Sequence, residues 1–379
     1  MEYVRIGDIC SKICSGGTPA SSNTNYYNGG IPWLNTNEVN FCNIYSTNKT
    51  ISQEGLDHSA AKYIPVNAVI VAMYGVTAGK SAIAKIPLTT NQACCNLVID
   101  EDKADYQYVY YFLKQQSDNL NKLANGGAQQ NLNSLIIKKY KIALPALDVQ
   151  HRIASILSTY DTLIENNTKR IRLLEKMAEN LYKEWFVRFR FPGYEKVEME
   201  DGLPKGWKIK RYGDMTVISA GGDKPMVCSE ELTPECPIPV FSNGVDNDGL
   251  YGFTNEAKVK EPCITISTRG TVGFVAIRRV PFVPIVRLLS VVSEKGLDVY
   301  YLYFASRNND LEGNGTSQQQ LTVPMLKKRK LIIPTRELLR KFGGKCDRIY
   351  KEMDNLQHQN TILARQRDLL LPRLMSGKL

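Results

Sequence analysis

The chain carries one 21-residue passage twice, at residues 125–145 and at residues 314–334. The two passages align without a gap at an offset of 189 residues, and nine positions are identical: Asn, Gly, Gln, Gln, Leu, three Lys and a closing Pro. An offset this long is not the period of a solenoid, whose units run to roughly 20–50 residues. The chain is therefore predicted to be a duplicated domain, and a duplicated protein usually has two similar things to bind.

Shorter matches extend the duplication towards the start of each copy. They are Arg-x-Gly-Asp at 5–8 and 211–214, Ile-Pro at 31–32 and 238–239, and a glycine-rich turn at 75–79 and 270–273. The offset falls from 206 to 189 within each copy, so the second copy has lost about 17 residues. Two copies that share a scaffold and differ in their loops are expected of two domains that recognise different targets.

Length and charge narrow the class of protein. The 379 residues suggest two or three domains at roughly 150 residues each. The formal net charge of +10 fits binding to a polyanion, although it also fits simple solubility. Lysines at 138, 139 and 141, and Lys-Lys-Arg-Lys at 327–330, fall inside the repeated passage, which favours the first interpretation.

Cysteine usage and hydropathy predict a cytoplasmic location. Nine cysteines occur without a Cys-x-x-Cys pair, a pattern typical of reduced thiols. The longest apolar run, residues 68–73, is too short to span a bilayer, and residues 1–5 do not read as a secretory signal. We expect no membrane contact.

Each copy ends in a sequence with the periodicity of a long helix. Apolar positions step by four and three over residues 153–185, and Pro192 and Gly193 are expected to end this helix. The same spacing returns over residues 342–374. Each helix could pack on its own globular unit, but a seam of about 50 Å is too long for one small domain, so we favour pairing of the two helices as a coiled coil. The residues predicted to pair are Ile153, Leu157, Tyr160, Ile164, Asn167, Ile171, Leu174, Leu181 and Trp185 with Phe342, Ile349, Met353, Leu356, Asn360, Leu363, Leu370 and Leu374.

The sequence before each helix predicts a mixed α/β unit. Short β-prone runs lie between Gly, Asn and Pro turns, and two segments have helical character. The predicted strands are 68–73, 94–99, 262–267 and 274–277, and the predicted helices are 106–122 and 299–307. We therefore predict an α+β fold: two similar mixed α/β domains joined by two long helices, with the pseudo-two-fold symmetry of a duplication.

Several motifs occur in a fixed order. They are Gly-Gly-Thr-Pro at 16–19, Gly-Gly-Ile-Pro-Trp at 29–33, the segments 74–80, 90–93 and 126–132, and the helix ends 181–194 and 370–377. Together they resemble the specificity subunit of type I restriction–modification systems, and the likeness covers essentially the whole chain. The second copy departs most, because it has Lys224-Pro225 in place of a clear Gly-Gly-Thr-Pro.

The resemblance implies a fold, a function and partners. Its target-recognition domains correspond to residues 1–147 and 192–335, its central helix to 148–191 and its distal helix to 336–379. Such a subunit is non-catalytic, and each domain reads one half of a split, asymmetric site in double-stranded DNA. The helices pair antiparallel and set the half-site spacing. Two methyltransferase subunits use S-adenosylmethionine to methylate adenine, and restriction subunits use ATP and Mg.

The residues themselves also favour a sequence-recognition protein over an enzyme. The Gly79-Lys80-Ser81 stretch lacks the earlier glycine of a phosphate-binding loop, because position 74 is Tyr. No Pro-Pro pair occurs, as an adenine methyltransferase would need, and the three histidines lie far apart. We expect no catalytic residue, metal or cofactor in this chain. The alternatives are a restriction–methylation protein separated from its catalytic part, or a coiled-coil scaffold that binds proteins.

Amide and basic side chains near glycines are the candidates for DNA contact. Asn and Gln can pair with adenine, Arg with guanine, and Lys with phosphates. A loop-fixing or capping role is the alternative for the Gln pairs, since both copies keep them, whereas residues that differ between the copies are candidates for specificity. The full set is Asn35, Asn37, Tyr74, Thr77, Lys80, Gln129, Gln130, Asn131, Lys138, Lys139, Asn243, Arg269, Thr271, Gln318, Gln319, Gln320, Lys327, Lys328 and Arg329.

Both long helices carry an asparagine at a seam position. If Ile153 faces Leu374 in an antiparallel pair, then Asn167 faces Asn360. Two facing amides could bond each other and fix the register, or the seam could fray so that both reach water. A buried amide without a partner would cost roughly 1–3 kcal/mol.

Overall fold

The computed structural model describes residues 2–123, 132–308 and 320–377. The chain divides into two compact units: unit 1 is Met1–Asn167 with His358–Leu379, and unit 2 is Thr168–Gln357. Each unit thus contains part of both long helices. The boundaries of the recognition domains stay a prediction, because compactness defines these units and not function.

Unit 1 alternates short strands with short helices before the first long helix. Its elements are β1 Glu2–Arg5, β2 Cys10–Ser15, β3 Tyr27–Leu34, β4 Cys42–Ile44, β5 Lys49–Ile51, α1 Gln53–Asp57, β6 Tyr63–Ile64, β7 Val69–Ala72, β8 Ser81–Ala84, β9 Leu88–Thr90, β10 Cys94–Ile99, α2 Tyr106–Gln115, α3 Ser117–Lys122, α4 Ser134–Lys139, β11 Lys141–Leu144 and α5 Leu147–Tyr182.

Unit 2 repeats this order up to the second long helix. Its elements are β12 Met199–Glu200, β13 Leu203–Pro204, β14 Lys208–Arg211, α6 Tyr212–Met215, β15 Thr216–Ala220, β16 Ile238–Phe241, β17 Leu250–Thr254, β18 Cys263–Ile266, β19 Val275–Arg278, β20 Val283–Pro284, β21 Leu289–Ser293, α7 Val299–Asn308, α8 Val323–Lys328, β22 Lys330–Ile333 and α9 Arg336–Met375.

The two units share one strand order, which confirms the duplication. The main sheet runs β2-β10-β7-β8-β4 in unit 1 and β15-β21-β18-β19 in unit 2. A second sheet places β3 between β5 and β9, parallel to β9, and unit 2 places β16 between β17 and β20 in the same way. A two-stranded ribbon, β1–β11 or β14–β22, precedes a long helix in each case. The fold is mixed α/β, with two long helices.

The length difference between the copies falls mainly between the second and main sheets. Pro32 of β3 corresponds to Pro239 of β16, whereas Val69 of β7 corresponds to Ile264 of β18. The offset drops there from 207 to 195, in the stretch that holds β4, α1 and β6. Among the residues that the structure describes, unit 2 has no counterpart of β4 or α1, and a single antiparallel bridge between Val259 and Phe282 stands in place of the β6–β9 pairing.

Most predicted elements are confirmed. Strand β10 has the predicted bounds, and β7, β18, β19 and α7 lie within one residue of theirs. The single helix predicted over 106–122 is wrong, because it breaks at Gln116 into α2 and α3. Gln116 has φ −91° and ψ 6°, and its own N–H closes the end of α2.

The helices pair antiparallel within unit 1. Ile153 and Leu157 of α5 lie in one buried cluster with Leu371 and Leu374 of α9. One turn further along, an ion pair joins Asp161 and Arg367, both largely buried. The Tyr111 hydroxyl donates to the same Asp161 carboxylate at 2.6 Å, so α2 is held to both long helices.

The helices pair in the same sense within unit 2. Arg170 and Glu352 form an ion pair at 2.9 Å, and Tyr182 and Trp185 pack with Phe342. Every residue predicted to pair is buried or partly buried across the described residues. These observations agree with the seam, while the pairing of individual residues stays a prediction.

The first long helix does not end at Pro192, contrary to expectation. After α5, residues Lys183–Val187 form a π-helix that buries both Trp185 and Phe186. The chain then turns at Phe189, whose φ is +58°. A tertiary aromatic cluster around Trp207 holds this turn, with Phe189 at 5.4 Å and Phe191 at 5.7 Å between ring centroids. Packing therefore ends the helix before Pro192 is reached.

Candidate nucleic-acid interface

Four loops converge at one end of the sheets in unit 1. They follow β2, β3, β7 and β9. The Gly17 N–H donates to the Thr90 carbonyl at 2.9 Å, and the Asn91 N–H donates to the Leu34 carbonyl at 2.9 Å. Thr77 of the loop after β7 donates its hydroxyl to the Thr36 carbonyl at 2.8 Å, and this bond closes the set.

Gly16 and Gly17 permit the close approach of these loops. A Cβ at Gly16 would lie 2.0 Å from the Thr90 carbonyl oxygen, and one at Gly17 would lie 2.2 Å from the Ala61 nitrogen. Both partners are backbone atoms, so no side-chain rotation could relieve the clash. The Trp33 indole also donates to the Gly17 carbonyl at 3.0 Å, which connects two of the sequence motifs.

Amides and hydroxyls make up most of the exposed polar side chains of these loops. Asn37, Tyr74 and Gln92 are exposed, and the loop after β7 also presents Val76. Asn35 is partly buried, with its amide oxygen 3.4 Å from the Asn91 nitrogen. These loops offer hydrogen-bonding groups to a ligand without forming a deep pocket.

Two lysines fix the loop after β3. Lys80 and Lys114 lie over the Phe41 ring at 5.9 and 5.7 Å, and Lys80 donates to the Asn40 amide oxygen at 2.8 Å. Burial lowers the pKa of Lys114. Lys80 is half-buried, so it holds the loop and still carries charge to its surface.

Thr77 uses its hydroxyl to join two of these loops. Its side chain is 7% exposed, and the hydroxyl donates to the Thr36 carbonyl. Contact between Thr77 and DNA stays a prediction.

Unit 2 builds the same end from the loops that follow β15, β16, β18 and β20. The N–H groups of Val286 and Arg287 donate to the carbonyls of Gly222 and Gly221 at 2.8 and 3.0 Å. A Cβ at Gly221 would lie 2.7 Å from the Pro284 backbone carbon. Gly221-Gly222 is thus the counterpart of Gly16-Gly17, which the sequence comparison missed because the following Thr-Pro is absent.

Asn243 braces these loops through its amide, and base reading by this residue stays a prediction. Its amide nitrogen donates to the Val286 carbonyl at 2.7 Å, and its amide oxygen accepts from the Thr268 N–H at 2.7 Å. Both ends of the amide are therefore occupied by backbone.

A buried arginine supports the loop after β16. Arg278 is 5% exposed, stacks on the Phe241 ring at 3.6 Å, and donates to the Thr265 hydroxyl at 3.0 Å and the Asp248 carbonyl at 2.6 Å. Burial lowers the pKa of Arg278 to about 10. Asp248 has φ +52°, so the cation holds a turn that the backbone disfavours.

The remaining candidates fall into two groups. Arg269 and Thr271 are exposed in the loop after β18, and Gln320 is partly buried. Lys138, Lys139, Lys327 and Lys328 are exposed at the ends of α4 and α8, beside the ribbons, whereas Arg329 is partly buried and its carbonyl accepts from the Tyr212 N–H. The candidates Gln129, Gln130, Asn131, Gln318 and Gln319 lie outside the described residues.

The described residues form neither a metal-binding cluster nor a membrane-spanning helix. Over residues 2–123, 132–308 and 320–377, no three His, Cys, Asp or Glu side chains come together as a metal site. In the same ranges no helix is both long and apolar enough to cross a membrane. All nine cysteines are free thiols.

The architecture defines a duplicated protein with two equivalent, loop-built polar surfaces and two long helices. The family model for the type I restriction modification DNA specificity domain matches residues 1–176 and again 204–369. The chain belongs to this family and is a DNA sequence-specificity subunit of a type I restriction–modification system.

Individual relatives agree with the family match. The type I restriction enzyme MjaIX specificity subunit of Methanocaldococcus jannaschii is 28% identical, over 100% of this chain and 93% of that protein. The EcoR124I/EcoR124II specificity subunit of Escherichia coli is 29% identical, over 52% of this chain and 50% of the relative. The crystal structure of a type I system S subunit from M. genitalium has the same fold, with a TM-score of 0.61 at 19% identity over 98% of this chain and 95% of that one.

Proposed function

We propose that each unit reads one half of a two-part, asymmetric DNA site, and that this chain performs no chemistry itself. The observation that carries the proposal is one loop frame used twice with different exposed side chains. Gly16-Gly17 and Gly221-Gly222 anchor equivalent loops whose exposed side chains differ, with Asn37 and Gln92 in unit 1 and Arg269 and Arg287 in unit 2. A conserved frame with changed side chains is expected of two readers of different sequences.

Lysines near both ribbons supply the sequence-independent part of binding. Lys138 and Lys139 in unit 1 match Lys327 and Lys328 in unit 2, and all four are exposed. Exposed lysines suit phosphate contacts, since an ammonium group is attracted to phosphate whatever the base sequence. These contacts would hold each unit on the duplex while its loops read base edges.

Apolar side chains on the long helices suit a protein partner. Ile156, Leu163, Ile362 and Leu369 in unit 1 are 43–60% exposed, and Met177 in unit 2 is 55% exposed. Exposed apolar groups in excess mark interaction surfaces. We assign them to the two methyltransferase subunits, which bind S-adenosylmethionine. Restriction subunits would add ATP- and Mg-dependent cleavage, and the whole assembly would work in the cytoplasm.

The long helices would set the distance between the half-sites. Each helix contributes residues to both compact units, so a change in helix length alters the connection between the two recognition surfaces. The two surfaces would meet grooves about one turn of duplex apart, roughly 34 Å.

Domain exchange in the reconstituted methyltransferase complex tests the proposal. Replacing residues 1–147 by the first recognition domain of another family member should change one half of the methylated motif and leave the other unchanged. Duplex binding by the unmodified complex should weaken steeply with salt, because phosphate contacts release counterions. A change in both halves, or binding that is indifferent to salt, would refute the proposed division of labour.

A further inference from the structure

Two arginines leave neighbouring points of the backbone at the recognition end of unit 2. Thr268 directly precedes Arg269, and the Thr268 hydroxyl donates to the Arg287 carbonyl at 3.3 Å. Both arginine side chains are exposed, whereas Thr268 is 1% exposed. The buried Thr268 therefore joins the two backbone points from which the exposed guanidinium groups of Arg269 and Arg287 extend.

The turn that carries Arg287 is unusual and fully braced. Val286 and Arg287 have φ values of +52° and +60°, a region that a β-branched residue such as Val rarely occupies. Their N–H groups are bonded to Gly222 and Gly221, and the Val286 carbonyl accepts from Asn243. Strained conformations persist where the surroundings over-determine them, which is common at ligand-binding positions.

None of the contacts that hold this turn uses the Arg287 side chain. The contacts that hold the turn are made by backbone atoms of Val286 and Arg287 and by the side chains of Asn243 and Thr268. A turn stabilised in this way keeps its shape when the Arg287 side chain is changed. Its guanidinium group is therefore available to a ligand.

Unit 1 presents different chemistry at the matching position. The loop after β9 carries Asn91, Gln92 and Ala93 where the loop after β20 carries Ile285, Val286 and Arg287, so an alanine stands at the position of Arg287. None of the four described loops of unit 1 contains an arginine, and their exposed polar groups are amides and hydroxyls. A planar guanidinium pairs bidentately with guanine O6 and N7, whereas an amide pairs with adenine N6 and N7.

We propose that Arg287 reads a guanine in the half-site bound by unit 2, and that unit 1 reads its half-site through amides without an arginine–guanine contact. This inference rests on the proposed function, since it requires that each unit reads one half-site. It assigns an arginine–guanine contact to the half-site bound by unit 2 and amide contacts to the half-site bound by unit 1.

Methylome sequencing of cells that express the cognate methyltransferase with variants of this chain tests the assignment. The unmodified chain should give a split motif with a fixed guanine in one half. Arg287→Ala should relax that position alone, with roughly 5- to 150-fold less discrimination against other bases, and leave the opposite half unchanged. The intact opposite half also shows that the variant folds and assembles.

Arg287→Lys separates base reading from phosphate contact. Lysine keeps the positive charge and loses the bidentate fork, so the guanine should still relax. Arg348→Ala, at an exposed position of α9, serves as the matched control and should leave the motif unchanged. An unchanged motif with Arg287→Ala, or an equal loss of methylation at all sites with a shallower salt dependence, would overturn the assignment. Absence of any split motif with the unmodified chain would instead refute the proposed function on which it rests.

Discussion

Glu165 and Asp354 occupy equivalent positions of the two long helices, 189 residues apart, and each carboxylate holds a sheet to its helix. Glu165 accepts from the Asn43 amide at 2.6 Å and from the Tyr45 hydroxyl at 2.9 Å. Asp354 accepts from both terminal nitrogens of Arg279, each at 2.5 Å. The duplication has therefore kept the docking carboxylate and changed its donors.

Loss of the Asp354 carboxylate should weaken unit 2. The bidentate, charge-assisted pair is only half-buried, with Arg279 29% and Asp354 54% exposed, so we expect Asp354→Ala to lower the free energy of unfolding by about 1 kcal/mol. The effect should shrink in 1 M salt, which screens the pair. Glu337→Ala, which removes a 69% exposed carboxylate paired only with Lys341 on the same helix, should change the melting temperature little. Equal effects of the two variants would show that Asp354 has no docking role.

Adjacent glycines in α9 give a matched pair of variants. A Cβ at Gly343 would lie 2.0 Å from a carboxylate oxygen of Asp298, while a Cβ at Gly344 would meet nothing within 4 Å. The Asp298 carboxylate accepts from the Tyr301 N–H at 3.0 Å and caps α7. Gly344→Ala should stabilise by about 0.5–1 kcal/mol, because glycine is unfavourable in a helix interior.

Gly343→Ala should instead lower the free energy of unfolding. It must displace the capping Asp298 carboxylate, and loss of a helix cap costs up to about 2 kcal/mol, which exceeds the gain in helix propensity. Thermal melting of both variants measures the difference. Stabilisation by both substitutions would show that Asp298 moves aside freely and that the close approach is not a constraint.

Asn167 tests the register of the paired helices. It is 8% exposed, and its amide donates to the Gln359 side chain at 3.3 Å, next to the residue that the seam predicts as its partner. Asn167→Leu should destabilise by about 1 kcal/mol. Asn360→Leu should recover part of this loss, because it removes the second amide as well. That the two asparagines face each other stays a prediction until a double-mutant cycle is measured, and additive effects would contradict it.

The length of the long helix should control the gap between half-sites. Four residues inserted after Asn167 add about 6 Å of helix at roughly 1.5 Å each. The preferred gap should lengthen by about 2 bp, as read from the methylated motif at roughly 3.4 Å per base pair. The same insertion after Gly202, in the exposed turn between β12 and β13, should leave the gap unchanged. Intact methylation with an unchanged gap in the helix variant would show that helix length does not set the gap between half-sites.

The long helices and the core strands could be predicted from the sequence because their signals are local and repeated. The four-and-three spacing over residues 153–185 specifies a helix whatever surrounds it. Strand β10 is an apolar run bounded by turn residues, and the structure gives it the predicted bounds. Because of the duplication, the sequence signal of these elements occurs in both copies.

The recognition end could not be predicted because its geometry depends on distant partners. Asn243 is fixed by Val286 and Thr268, which lie 43 and 25 positions away. No local pattern shows that its amide is bonded within the protein. The hydrogen bond from Thr77 to the Thr36 carbonyl has no local signature either. The end of the first long helix was missed because a left-handed Phe189, held by Trp207, has no sequence signature.

Methylome sequencing of cells that carry the cognate methyltransferase, with and without this chain, tests the central claim most directly. The account predicts methyladenine in both halves of one split motif, with two different half-sites at a fixed gap, and only when the chain is present. A continuous motif, two identical half-sites, or methylation that does not depend on the chain would contradict it.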